Sequence, residues 1–219
     1  EISLGLVGSE MCIRDRGVVM DECGFPENLT LHDVDAIMSR CYRTWDTLRF
    51  QGWADRFELP RKKAVKAFSR GMRMKLSIAV ALSHDSRLLL LDEATSGLDP
   101  VVRDEMLDVL RDFIQDERRS VLLSSHIISD LEKVCDYVTF LHKGRLLLSE
   151  AKDDLLDRYV LAKAPEAELS RIDPASVVGL RAGRFGAEAL ILRRALPGGM
   201  AHQPATLEDI MLYHIKEEH

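Results

Sequence analysis

Residues 87–100 contain the feature that most constrains the fold, because two adjacent acidic residues directly follow a run of four leucines. A short, wholly apolar run bounded by charged residues predicts a strand buried on both faces, as in a parallel sheet covered by helices. Asp92 and Glu93 would then lie at the carboxyl end of that strand. Ligands of open α/β sheets bind beyond the carboxyl ends of strands, so this position suits a functional site.

Two carboxylates at such an edge suit metal-assisted phosphoryl transfer. One carboxylate holds Mg²⁺, often through water, and the other orients or deprotonates the attacking water. Asp92 is the better candidate for the metal and Glu93 for the base. The alternative is a strand end that carries two solvated acids, and the pair by itself does not decide between them.

Composition limits the class of protein. The chain has 219 residues, enough for one domain with an appendage or for two small domains, and 46% hydrophobic with 30% charged residues indicate a soluble globular protein. A net charge of −6 argues against nucleic acid as the main partner. The four cysteines form no C-x-x-C pair, which disfavours a zinc site or a disulfide framework and favours reduced thiols. No apolar run approaches the roughly 20 residues of a membrane-spanning helix, so a role in transport would need another subunit for the pore.

A second candidate site is the helix start around Ser69 and Gly71. The apolar residues Met72, Leu76 and Ala79 share one helical face, and Ser69 is placed to cap the helix. Free backbone N–H groups and the helix dipole at such an N-terminus favour phosphate. A capped helix start is weak evidence alone, but the 21 residues from Gly71 to Asp92 allow one helix, one turn and one strand (92 − 71 = 21).

His126 is a third candidate, because it directly follows a predicted strand within residues 120–125. A histidine beyond the carboxyl end of a strand can reach the same cleft as Glu93. The alternative is an incidental surface histidine, and the Ser-Ser-His setting after a strand argues against it.

Other patterns predict the remaining elements. They are a strand at residues 17–20, a helix capped by Thr30 with Asp33, an apolar and aromatic stretch at 45–59 whose aromatic residues pack in a core, a helix at 101–116, a hairpin at 137–148, helices at 151–159 and from Thr206, and a hairpin around Gly183 and Gly186.

In this order the segments resemble those of ABC-type ATPases, specifically the ABC-2 type involved in export or antibiotic resistance. Residues 69–72 resemble the signature motif in its Ser-x-Gly-Met form, and residues 88–99 resemble the Walker B strand followed by the D-loop. His126 corresponds to the H-switch. Asp21 falls at the Q-loop position, where the family has a glutamine, and residues 26–30 follow it as in ABC-2 relatives.

The resemblance implies an α/β fold of the P-loop NTPase type, with a parallel-sheet core and a helical subdomain at about residues 27–84. It also implies ATP and Mg²⁺ as ligands. The roles carried over are catalytic for Glu93 and His126, nucleotide-binding for Ser69, Arg70, Gly71, Met72 and Asp99, and metal-binding for Asp92 and Asp21. Arg70 stands where glycine is more common and adds a donor for phosphate.

We expect three regions: a partial ABC ATPase domain at 17–148, a small α+β accessory region at 149–219, and a non-native or disordered segment at 1–16, which has neither the layout of a signal peptide nor clear periodicity. Residues 8–16 also resemble translated sequencing adapter. The P-loop, G-x-x-x-x-G-K-[ST], is absent, since residues 5–8 resemble only its first half, and we therefore expect negligible ATP turnover by this chain.

The expected partners are a second ABC subunit, identical or not, and an integral membrane permease, with the chain on the cytoplasmic, inner face of the cell membrane. No nucleic acid partner is expected. One alternative is a non-catalytic regulatory or binding ABC subunit, which the missing P-loop and Asp21 permit. Another is a chromosome or repair ATPase, which needs long coiled-coil arms. Only 48 residues separate Asp21 from Ser69, without sustained heptads (69 − 21 = 48).

Overall fold

The computed structural model describes residues 15–183 and 186–217, which form two compact units that divide after Ile127. Residues 1–14, including the partial P-loop match at Gly5 and Gly8, lie outside the described residues. Most of the segment expected to be foreign therefore lies there as well.

The first unit is an α/β unit built on three parallel strands in the order β1-β2-β3. The strands are β1 (Arg16–Val19), β2 (Leu88–Asp92) and β3 (Ser120–Ser124), and the helices are α1 (Leu31–Cys41), α2 (Thr47–Arg56), α3 (Arg70–Leu82) and α4 (Pro100–Phe113), with a 3₁₀ turn at Val65–Ala67. The parallel pairing sets Val19 beside Leu91 and Asp92 beside Ser124. The predicted parallel-sheet core is therefore confirmed.

The sheet is buried on one face only. Leu89 and Leu91 are buried, and β1 approaches helix α3 so closely that a Cβ on Gly17 would lie 2.9 Å from the Cβ of Ala81. On the opposite face Val18 is 54% exposed and Leu122 is 66% exposed, while the remaining leucines of β2 are half-buried. The prediction that β2 is buried on both faces is therefore wrong for the described residues, because alternate side chains point to opposite faces.

Capping side chains define where the helices of this unit begin. Thr30 and Asp33 form the predicted capping box of α1, with the Thr30 N–H donating to Asp33 Oδ2 at 2.8 Å.

In α2 the aromatic side chains Phe50 and the adjoining Phe57 are buried, as predicted for core residues. Leu48, in contrast, is 80% exposed.

The second unit, from Ile128 onward, contains two antiparallel sheets. Its elements are α5 (Ile128–Val134), β4 (Tyr137–His142), β5 (Arg145–Ala151), α6 (Lys152–Arg158), β6 (Tyr159–Ala164), α7 (Glu166–Leu169), β7 (Val177–Gly183), β8 (Gly186–Leu192), β9 (His202–Pro204) and α8 (Leu207–Glu217), with 3₁₀ turns at Pro174–Ser176 and Arg193–Ala195. Strands β4 and β5 form the predicted hairpin, and the larger sheet has the order β7-β8-β6-β9.

The division between the units differs from the boundary expected after residue 148. The hairpin belongs to the second unit, because Val138 and Phe140 pack into the same buried cluster as Leu155, Leu161 and Leu190. Strand β6, which contributes Tyr159 and Leu161 to this cluster, was not predicted from the sequence.

Two further expectations concern the whole chain. The described cysteines, Cys23, Cys41 and Cys135, are free thiols. Within residues 15–183 and 186–217, no helix is both long and apolar enough to cross a membrane.

Candidate functional site

The acid pair after β2 is hydrogen-bonded to a serine on the neighbouring strand. Parallel pairing puts Ser124 directly beside Asp92, and the Ser124 hydroxyl donates to Asp92 Oδ1 at 2.5 Å. The same hydroxyl oxygen accepts from the backbone N–H of Glu93 at 3.1 Å. One side chain therefore orients the Asp92 carboxylate and the backbone of Glu93 together.

Glu93 and His126 form a direct pair at this edge. The Nδ1 atom of His126 lies 2.5 Å from Glu93 Oε2, and the side chains are 65% and 32% exposed respectively. An ionised carboxylate only accepts hydrogen bonds, so Nδ1 carries the hydrogen and Nε2 remains for another partner. The histidine predicted to reach the cleft of Glu93 therefore does so.

The backbone of Glu93 has an unusual conformation. Its φ angle is 51°, in the left-handed region that few residues other than glycine adopt. Such conformations cost about 1–3 kcal/mol and cluster at functional sites. Here the backbone turns sharply as it leaves β2, and Ser124 receives the Glu93 N–H at this turn.

The start of α3 is capped by a serine and lies against another helix start. Ser69 caps the helix by accepting from the Met72 N–H at 3.2 Å, as the sequence predicted. A Cβ on Gly71 would lie 3.5 Å from Cγ1 of Val102, so the beginning of α3 packs against the beginning of α4.

Asp99 has a local structural role at the start of α4. Its carboxylate accepts from the N–H groups of Val101 and Val102, each at 3.1 Å, and Pro100 occupies the first helical turn. The nucleotide-binding role expected for Asp99 across a dimer interface stays a prediction.

Asp21 contacts the signature arginine. Its Oδ1 atom lies 2.5 Å from Nη2 of Arg70, and a Cβ on Gly97 would lie 2.8 Å from Nη1 of the same guanidinium. The positive φ of 65° at Gly97 also favours glycine at this position. The metal role expected for Asp21 stays a prediction, since in this structure its carboxylate binds Arg70.

The structure thus joins the sequence candidates into two groups. One contains Asp92, Glu93 and His126, and the other connects residues 69–72 with Asp21. Ser124 was missed as a site residue. The available signal was its position at the end of a predicted strand. A serine at the end of a strand parallel to β2 can lie beside Asp92, but this inference needs the register of the pairing.

The carboxylates of the candidate site are the possible protein ligands for Mg²⁺. Among residues 15–183 and 186–217 there is no group of three or more His, Cys, Asp or Glu side chains that could hold a metal ion. Protein sites for Mg²⁺ commonly use one or two carboxylates together with substrate phosphates and water. An Asp92 carboxylate oriented by one serine fits that limited requirement.

Comparison with known proteins agrees with this geometry. Residues 8–96 match the family described as ABC transporter, and the match begins inside the segment 1–16. The lantibiotic transport ATP-binding protein SrtF of Streptococcus pyogenes is 38% identical over 42% of this chain and 40% of its own length. The bacitracin transport ATP-binding protein BcrA of Bacillus licheniformis is 41% identical over 44% of this chain and 32% of its own length.

Solved structures resemble the fold over a longer stretch. An ATP-binding subunit of an ABC transporter is 25% identical with a TM-score of 0.58, covering 68% of this chain and 64% of that one. A dimeric, post-hydrolysis ATP-binding cassette bound to ADP and Pi is 19% identical with a TM-score of 0.57, covering 65% of each chain.

The parallel sheet with its acid pair and histidine is the P-loop NTPase-like fold of ABC ATPase domains. Within that class, the matched segment is similar to the ATP-binding subunits of ABC transporters. The chain spans about two fifths of the length of SrtF and a smaller share of BcrA.

The hydrogen bonds of the Ser124 hydroxyl lead to a stability prediction. Ser124→Ala should lower the free energy of unfolding of the first unit by about 1 kcal/mol, because the Asp92 carboxylate loses its hydroxyl partner while the Glu93 N–H keeps its bond to the carbonyl oxygen of residue 124 at 3.2 Å. Both tryptophans, Trp45 and Trp53, lie in the first unit, so urea unfolding followed by tryptophan fluorescence reports on it.

The matched control is Ser120→Ala at the exposed beginning of β3, with an expected change below about 0.5 kcal/mol. Ser124→Thr retains a hydroxyl and should recover most of the loss. Equal effects of the alanine variants at 120 and 124 would show that the Ser124 hydroxyl does not stabilise the end of β2.

Proposed function

We propose that this chain is the ATP-hydrolysing motor subunit of an ABC transporter of the ABC-2 type, in a system for export or antibiotic resistance. The observation that carries the proposal is the cluster in which Ser124 orients Asp92 while Glu93 pairs with His126. The relatives named for lantibiotic and bacitracin transport support the part of the proposal that concerns export or antibiotic resistance.

Each residue of the cluster has a distinct role in the proposal. Asp92 would hold Mg²⁺, which neutralises charge on the phosphates when bound. Glu93 accepts a proton from the attacking water and orients it. His126 would donate its Nδ1–H to Glu93, and in the imidazolium form its Nε2–H would be free to donate to the terminal phosphate.

A dimer completes the proposed site. Ser69, Gly71 and Met72 would offer the start of α3 to the phosphates of ATP bound by the other subunit, and Asp99 would couple the two sites across the interface. Free N–H groups at a helix start favour phosphate, which supports this assignment. A membrane permease would receive the motion on the inner face of the membrane.

The alternative is a regulatory ABC subunit that binds nucleotide without hydrolysing it. Asp21 permits this alternative, since it stands where the family has a glutamine and its carboxylate pairs with Arg70. The two functions differ in turnover once a P-loop is present.

A grafted protein tests the proposal. It joins residues 17–219 to the preceding, P-loop-bearing segment of a lantibiotic transport relative, and ATP hydrolysis is measured as phosphate release. The motor proposal predicts turnover by the graft and negligible turnover by the unaltered chain, because only the graft has a loop to hold the phosphates. A folded, ATP-binding graft without turnover would support the regulatory alternative.

A further inference from the structure

We propose that Asp21 is an intramolecular latch that holds Arg70 and must be displaced before the signature helix can accept a phosphate. The contact is direct, with Asp21 Oδ1 2.5 Å from Arg70 Nη2. This inference rests on the proposed function, because it concerns how the phosphate site at the start of α3 is controlled.

The Arg70 guanidinium is held from two sides. Asp21 binds it from the loop after β1, and its Nη1 atom lies over Gly97, where an added Cβ would be only 2.8 Å away. A side chain at position 97 would displace the guanidinium. The latch therefore connects the loop after β1, the beginning of α3 and the turn before α4.

A second ion pair keeps this loop alongside the helix. Arg73, one turn after Arg70, lies 3.4 Å from Glu27 and also donates to the carbonyl oxygen of Lys66 at 3.4 Å. Between residues 21–27 and the beginning of α3 there is a polar cavity of about 580 Å³. The loop is thus anchored at Glu27 independently of Asp21, and the cavity leaves the Asp21 carboxylate room to move.

The charges make Asp21 a competitor of phosphate. Guanidinium binds carboxylate and phosphate with the same N–H donors, so an anion arriving at the start of α3 meets an arginine that is already paired. Both side chains are about half exposed, at 52% for Arg70 and 49% for Asp21. An exposed pair of this kind stabilises the fold only weakly, so a more highly charged phosphate can displace the carboxylate.

The short side chain of Asp21 and its direction toward Arg70 support the latch rather than direct binding of a metal ion by Asp21. The carboxylate of Asp21 is short, and in this structure it is directed to Arg70. A neutral amide at position 21 would leave the positive charge of Arg70 uncompensated. Asp21 is accordingly a positioning residue, which acts through Arg70.

The test is a titration of the complete chain with inorganic pyrophosphate, followed by ¹H–¹⁵N NMR at the Arg70 Nε–H and at the amides of Gly71 and Met72. Asp21→Asn should lower the apparent Kd about three- to tenfold, because an exposed ion pair no longer competes. Arg70→Gln should remove this gain when it is combined with Asp21→Asn.

Glu27→Gln is the matched control, since it removes one negative charge from the same cavity but leaves Arg70 paired. It should change the Kd less than twofold. Equal affinity of the unaltered chain and Asp21→Asn, or an equal gain from Glu27→Gln, overturns the latch while the phosphate site stands. Absence of pyrophosphate binding in every variant overturns both, and ATP turnover by the grafted protein tests the proposed function separately.

Discussion

Glu93→Gln in the grafted protein should lower ATP turnover at least about 100-fold and leave ATP binding nearly unchanged. Removing a general base costs typically 10²- to 10⁴-fold in rate. The glutamine amide oxygen can still accept from Nδ1 of His126, which lies 2.5 Å from the Glu93 carboxylate. The substitution therefore removes the basic group while keeping the pair in place.

Phosphate release at saturating ATP measures turnover, and equilibrium binding of a fluorescent ATP analogue measures affinity. The control is Glu117→Gln, an exposed acid in the turn before β3 that should retain full turnover. If Glu93→Gln retained turnover within a fewfold of the unaltered graft, Glu93 would not be the base. Robust hydrolysis by the unaltered chain, abolished by Glu93→Gln, would contradict the expectation that this chain is inactive alone.

Gly17→Val should lower the free energy of unfolding of the first unit by about 2–3 kcal/mol, because the side chain enters a filled space between sheet and helix. A Cβ at position 17 would lie 2.6 Å from Cδ2 of Leu89, 2.9 Å from Cβ of Ala81 and 3.0 Å from its carbonyl oxygen. The Leu89 methyl group can rotate away, but the backbone of α3 cannot move without losing its contact with β1. Valine favours strands, so propensity acts in the opposite direction and does not explain a loss.

Urea unfolding followed by tryptophan fluorescence measures the effect, since both tryptophans lie in the first unit. Gly24→Val is the control, because an added Cβ at that exposed loop position meets nothing within 4 Å. Its expected effect is within about 0.5 kcal/mol. A Gly17→Val protein as stable as Gly24→Val would show that α3 does not pack against β1 as described.

Local sequence patterns predicted the elements that depend on neighbouring residues. The helix starts at Thr30 and Ser69 follow from side chains that bind backbone groups three residues on, so the information lies within one turn. Strand β2 and its terminal acids follow from a continuous apolar run. Strand β6 was missed, because its partners β8 and β9 lie 20 or more residues further along the chain and its apolar stretch has no local strand signal.

By itself the sequence determined the chemistry of the candidate site: an acid pair after a strand, a capped helix start and a histidine after another strand, in the order typical of ABC ATPases. Only the tertiary structure decided which of these groups touch. Parallel register brings Ser124 to Asp92, and the path of the loop after β1 brings Asp21 to Arg70. These contacts join residues 32 and 49 positions apart, and their partners depend on how the chain packs rather than on any periodicity along it.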